Sequence, residues 1–139
     1  MRLVVDASVV VARLFHGDPR ETEGRRAVQL FRRLDDGRVT FLQPVHWLAE
    51  VAAVACLKDP ERCQDMIDAL KQLDICVVDD HNVLRTAMTL SIRLKAHLFD
   101  TLYHAVALVH EATLVTADHR YLAAARSQGR TMGLQELEL

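Results

Sequence analysis

Short apolar runs alternate with longer stretches of helical periodicity along the whole chain. Leu3–Val5, Val39–Leu42, Ile75–Val78 and Leu114–Thr116 are brief and rich in β-branched residues, the pattern of buried strands. A fifth short strand is expected near Thr131–Leu134. Between these runs the spacing predicts helices over Ser8–Leu14, Arg20–Leu34, Pro44–Leu57, Glu61–Leu73, His81–Leu94, Phe99–Glu111 and Asp118–Ser127. Punctuation agrees: Asp35-Asp36-Gly37 ends the second helix, Asp59-Pro60 separates the third from the fourth, and Asp79 or Asp80 caps the fifth. Pro44 fits a first helical turn, where its missing N–H costs nothing. Strands alternating with helices predict a mainly parallel sheet covered on both faces.

Four acids interrupt the apolar pattern. Asp6 follows Leu3-Val4-Val5, and Asp118 follows Leu114-Val115-Thr116-Ala117. Glu50 sits within Val45-His46-Trp47-Leu48-Ala49-Glu50-Val51, and Asp100 within Leu98-Phe99-Asp100-Thr101-Leu102-Tyr103. A charge beside apolar packing is costly unless it is paired or binds a metal. Capping accounts for Asp6, Asp100 and Asp118 taken singly, because each stands where a helix begins. It does not account for Glu50, expected in mid-helix with only His46 as a local partner. Ligands of open parallel sheets bind beyond the carboxyl ends of the strands, where Asp6 and Asp118 both fall. Four oxygen ligands gathered there suit a hard divalent cation, Mg²⁺ or Mn²⁺ rather than zinc.

Composition narrows the setting. With 139 residues, half of them hydrophobic, the chain suffices for one domain over residues 1–139 with a proper core. No run approaches the roughly 20 apolar residues of a membrane span, and the N-terminus lacks a signal-peptide layout, so the cytoplasm is the expected location. Cys56, Cys63 and Cys76 show no Cys-x-x-Cys spacing; they read as reduced thiols, with Cys56 and Cys76 in the core. Net charge is −2, so setting aside the four acids as one site leaves the remainder at +2. Arg20, Arg25, Arg26, Arg32 and Arg33 fall in one expected helix, a distribution compatible with a polyanionic partner. His46, His97, His104, His110 and His119 share no metal-binding spacing and read as surface or core-edge residues. No glycine-rich phosphate loop or nucleophile elbow is present. A receiver or phosphatase-like domain would need a lysine after a late strand, and none stands there.

Taken in order, these residues resemble the PIN-domain family. Leu3-Val4-Val5-Asp6-Ala7-Ser8-Val9-Val10 is similar to the family's opening, and Pro44 followed by a helix bearing Glu50 to its second acidic position. Phe99-Asp100-Thr101-Leu102-Tyr103-His104-Ala105-Val106-Ala107 resembles the third, and Leu114-Val115-Thr116-Ala117-Asp118 the fourth. The compact length looks most like the VapC-type toxins of toxin–antitoxin pairs. The resemblance implies a three-layer α/β/α fold and an Mg²⁺- or Mn²⁺-dependent endoribonuclease. It further implies a homodimer and a cognate antitoxin. Asp6, Glu50, Asp100 and Asp118 carry over as the acidic quartet, with Ser8 and Thr116 as polar supports. His104 departs from the aliphatic residue that often follows the tyrosine, and Arg120 stands where some members place a further acid. A PIN-like interaction module with little nuclease activity is the alternative.

Overall fold

The computed structural model describes residues 1–139. Five strands, β1 (Arg2–Val5), β2 (Thr40–Pro44), β3 (Ile75–Val78), β4 (Thr113–Thr116) and β5 (Thr131–Gly133), form one sheet ordered β3-β2-β1-β4-β5. Every pairing is parallel. Seven helices connect them: α1 (Ala7–Leu14), α2 (Gly24–Asp35), α3 (Trp47–Lys58), α4 (Cys63–Lys71), α5 (His81–Leu94), α6 (Leu98–Val109) and α7 (His119–Ala125). The connections run outward from β1 through β2 to β3, then return past β1 to β4 and β5. That reversal places α1 to α4 on one face and α5 to α7 on the other, a three-layer α/β/α arrangement. It also makes the β1/β4 junction the topological switch point, where the strand ends leave a crevice.

Leu3, Val4 and Val5 are fully buried because β1 is the central strand and is covered on both sides. β1 and β2 pair only at Arg2↔Thr40 and Leu3↔Phe41. Beyond that point the fully buried Gln43 takes over the ladder. Its Oε1 accepts the Val5 N–H at 2.9 Å, and its Nε2 donates to the Val5 carbonyl at 2.8 Å. On the opposite side Asp6 N–H donates to the Val115 carbonyl at 3.0 Å. The last residues of β1 are thus held from both neighbours. On the outer layer the Thr101 hydroxyl donates to the Ala87 carbonyl at 2.9 Å, tying the first turn of α6 to α5.

Several sequence expectations are corrected. Pro44 ends β2, pairing with Val78, and α3 starts three residues later at Trp47, so Glu50 lies in a first turn and not in mid-helix. Proline fits here because a strand end needs no further N–H for the ladder. Arg20 lies outside α2, which begins at Gly24. β3 is an edge strand whose Cys76 and Val77 are exposed, not a buried one. Cys56 is exposed as well, and Cys63 is the buried thiol. His104 is fully buried instead of lying at the surface or core edge. The fifth strand is present, short, and paired with β4.

The carboxamide of Gln43 yields a direct test. Replacement by leucine keeps the volume but strands a buried N–H and a buried carbonyl, so Gln43→Leu should lose about 2–3 kcal/mol in urea unfolding. A loss below about 0.5 kcal/mol would show that Val5 finds other partners.

Candidate active site

The crevice at the switch point is built from four segments. Asp6 follows β1 directly and caps α1, its Oδ2 accepting the Ser8 N–H at 3.1 Å. The Ser8 hydroxyl also donates to Oδ2, as does that of Thr116 at 3.3 Å. Thr116 Oγ1 in turn accepts the Asp118 N–H at 3.0 Å, and Ser8 Oγ accepts the Ala117 N–H at 3.1 Å. Two hydroxyls therefore lace the end of β1 to the end of β4. Asp118 caps α7 through its Oδ1, which accepts the Tyr121 N–H at 3.0 Å.

Glu50 and Asp100 come from the helical layers. Tyr103 Oη donates to Glu50 Oε2 at 2.9 Å, and His46 Nε2 lies 3.2 Å from the same oxygen. His46 Nε2–H donates to the Phe99 carbonyl at 2.9 Å, and its ring rests against Phe99 and Tyr103. Asp100, in the first turn of α6, accepts no hydrogen bond from the protein; His97 supplies the cap of that helix instead. Capping thus explains Asp6 and Asp118 in part and Asp100 not at all.

Electrostatics ties the four together. Burial pushes the Asp6 carboxyl up to about 6, against the Ser8 hydrogen bonds that favour its charged form, and the charges of Glu50 and Asp100 raise it further. Asp100 is raised first by burial, then by Glu50 and Asp118, with His97 and His46 acting in the opposite sense. Burial and the charges of Glu50 and Asp6 raise the Tyr103 hydroxyl, keeping it a hydrogen-bond donor. No lysine or arginine forms an ion pair with any of the four acids.

Donor chemistry and spacing point in different directions for a metal. Each acid retains a carboxylate oxygen without a protein partner: Oδ1 of Asp6, Oε1 of Glu50, both oxygens of Asp100 and Oδ2 of Asp118. Such an all-oxygen set fits Mg²⁺ or Mn²⁺ in kind. No three carboxylate, imidazole or thiol groups, however, are grouped closely enough to enclose an ion in the present rotamers. Mg²⁺ needs only one or two direct carboxylates and keeps several waters, so the residues remain a fit for it.

A cavity of about 490 Å³ opens beside Asp100 and Asp118, and Lys95, His97, Arg120 and Tyr121 also line it. A larger cavity, about 650 Å³, lies elsewhere, between α5, the end of α6 and Gln128, and contains no carboxylate. Sequence reasoning missed the Tyr103–Glu50 bond, although Tyr103 lies one turn from Asp100 on the same helix face. It also missed the buried His104, whose Nδ1 meets Tyr121 Oη at 3.1 Å and whose Nε2 donates to the Gly129 carbonyl at 2.8 Å. His104 Nδ1 is thereby left as the acceptor for the Tyr121 hydroxyl.

Comparison with known proteins identifies the family and the fold. A family model described as PIN domain matches residues 3–127. No curated protein matches the sequence. Solved structures do match. VapBC2 from Rickettsia felis, bound to a DNA fragment from its promoter, is similar at 16% identity and TM-score 0.72, covering 96% of this chain and 98% of its own. A toxin–antitoxin complex from Klebsiella pneumoniae matches at 18% identity and TM-score 0.70, covering 97% and 99%. The Mycobacterium tuberculosis toxin VapC20, which cleaves the sarcin-ricin loop, matches at 16% identity and TM-score 0.68, covering 88% and 94%.

The raised Asp6 carboxyl has a consequence for stability. The folded protein holds the Asp6 proton more tightly than the unfolded chain, so stability falls as pH rises from about 4 through about 6. Asp6→Asn removes that penalty and keeps the cap. It should stabilise the protein by about 3 kcal/mol at pH 7.5 and by close to nothing at pH 4. Denaturation curves of both proteins at the two pH values check this; an equal difference at each would refute it.

Proposed function

The chain belongs to the PIN-domain family, and on that premise we propose that it is a metal-dependent endoribonuclease, the toxin of a toxin–antitoxin pair. The observation that carries the reading is the crevice itself: four carboxylates with free oxygens, no lysine or arginine partner, and uncharged donors holding Asp6, Glu50 and Asp118 in place. Crowded like charges raise the energy of the empty site, and a divalent cation relieves it.

Asp6 with Asp100 or Asp118 would hold Mg²⁺ or Mn²⁺ directly, and Glu50 with the remaining aspartate through water. A divalent cation held there would supply Lewis acidity for activating water and offsetting phosphate charge. The chain's own groups set the geometry. Ser8 and Thr116 fix Asp6 against both strand ends, and Tyr103 and His46 fix Glu50 from α6 and α3. No side chain is assigned as general base.

The proposed partners are RNA, a cognate antitoxin protein and a second copy of the chain, with residues 1–139 acting as a single domain in the cytoplasm. Support for the first two comes from the similar structures, one a toxin–antitoxin complex and another a toxin that cleaves the sarcin-ricin loop. No helix is long and apolar enough to cross a membrane. One observation favours the alternative of an interaction module with little nuclease activity: the acids are not drawn together tightly enough to enclose an ion unaided.

Hydrolysis of labelled RNA in Mn²⁺ against EDTA separates the two readings. The nuclease cleaves only in Mn²⁺, and Asp100→Asn abolishes cleavage while remaining folded; RNA left intact by the wild-type protein under both conditions overturns it. Melting gives an independent check. At about a hundredfold excess over its Kd, Mn²⁺ should stabilise the protein by about 2.7 kcal/mol, and Asp6→Asn should lose most of that response.

A further inference from the structure

The cavity beside Asp100 and Asp118 is two-signed. Carboxylates form one part of its lining, and Lys95, Arg120 and His97 another. Lys95 and Arg120 are both exposed, and neither enters an ion pair or a side-chain hydrogen bond within the protein. Two free cations thus border a carboxylate crevice.

Lys95 also stands in a backbone conformation that a lysine adopts at a cost. It is the residue that ends α5, with φ 51° and ψ 42°, its N–H donating to the Ser91 carbonyl. Left-handed helix caps of this kind favour glycine or asparagine, which avoid the Cβ clash. Glu111 and Arg130 share the conformation, but neither lines this cavity. Strain held at a residue facing a crevice points to a role there for the side chain rather than the backbone.

We infer that Lys95 and Arg120 grip the sugar–phosphate backbone of the substrate, holding a polyanion against a crevice whose carboxylates would otherwise repel it. The inference rests on the nuclease reading above for the identity of that polyanion as RNA. Lys95 at the end of α5 and Arg120 in the first turn of α7 approach the cavity from two elements, and Asp100 and Asp118 share its lining with them. A lysine ammonium on a flexible stem and a forked arginine guanidinium both suit phosphate oxygens, and phosphate contacts position the RNA without reading its sequence.

The test is the salt dependence of binding by a short fluorescein-labelled single-stranded RNA, followed by anisotropy in EDTA so that no cleavage intervenes. Each phosphate contact contributes a slope of about −0.7 in log K against log salt for single strands. Lys95→Gly and Arg120→Ala should each weaken binding about fivefold at 0.1 M salt, and the double variant should flatten the slope by about 1.4. Lys95→Gly should do so with an unchanged or raised melting temperature, and Lys95→Arg should retain wild-type affinity. With Mn²⁺ present the double variant should raise KM far more than it lowers kcat. Equal affinity and slope in the wild-type and double variant overturn the inference, as does a loss at Lys95 that Lys95→Arg fails to restore. The two readings separate cleanly. RNA cleavage by the wild-type protein with an unaltered slope in the double variant removes this inference alone, whereas the expected slope change in a protein that cleaves nothing removes the nuclease alone.

Discussion

The pairing of β1 with β4 is the constraint from which the rest of the crevice follows. Val5 lies opposite Val115, and the Asp6 N–H is held by the Val115 carbonyl, so both chains leave the sheet at one level. From there α1 and α7 start on opposite faces of the sheet, each capped by an aspartate. Thr116 can then donate to Asp6, and Ser8 accept the Ala117 N–H, across more than a hundred residues of sequence, because the register has already fixed their separation. Gln43 completes the frame by gripping Val5 from the other flank. A slip of one residue at this junction would turn Asp6 toward the opposite face of the sheet.

The frame sustains an electrostatic load that no arginine or lysine relieves. Neutral donors do the holding instead: two hydroxyls at Asp6, a phenol at Glu50 and a backbone amide at Asp118. Neutral donors orient a carboxylate without cancelling its charge, so the field in the crevice stays negative. A guanidinium in any of these places would have formed a stable ion pair and closed the site to a cation.

Much of this arrangement was legible in the chain. Runs such as Leu3–Val5 and Leu114–Thr116 are short and β-branched, the pattern of buried strands, and the acids after them mark the carboxyl edge of the sheet. What escaped the sequence depends on contacts between distant segments. Pro44 reads as a helix start until β3 is known to pair with it. α3 carries apolar residues around its whole circumference, so periodicity could not tell buried Val51 and Ala55 from exposed Cys56 and Leu57. Tyr103 meets Glu50 across 53 residues, and His104 finds its two partners only in segments that follow β4. The acids were visible singly; their mutual charge effects needed the fold.

The outer rim of β3 bears on how the polypeptide behaves when crowded. An open strand border with Val77 half out in solvent is a template onto which a foreign segment could add and begin a fibril. Here the template is four residues long, and Asp74 precedes it while Asp79 and Asp80 follow. Any intruding apolar segment long enough to bond well must overrun those carboxylates at both ends. Charges placed as gatekeepers let the sheet keep an uncovered border and resist self-association there.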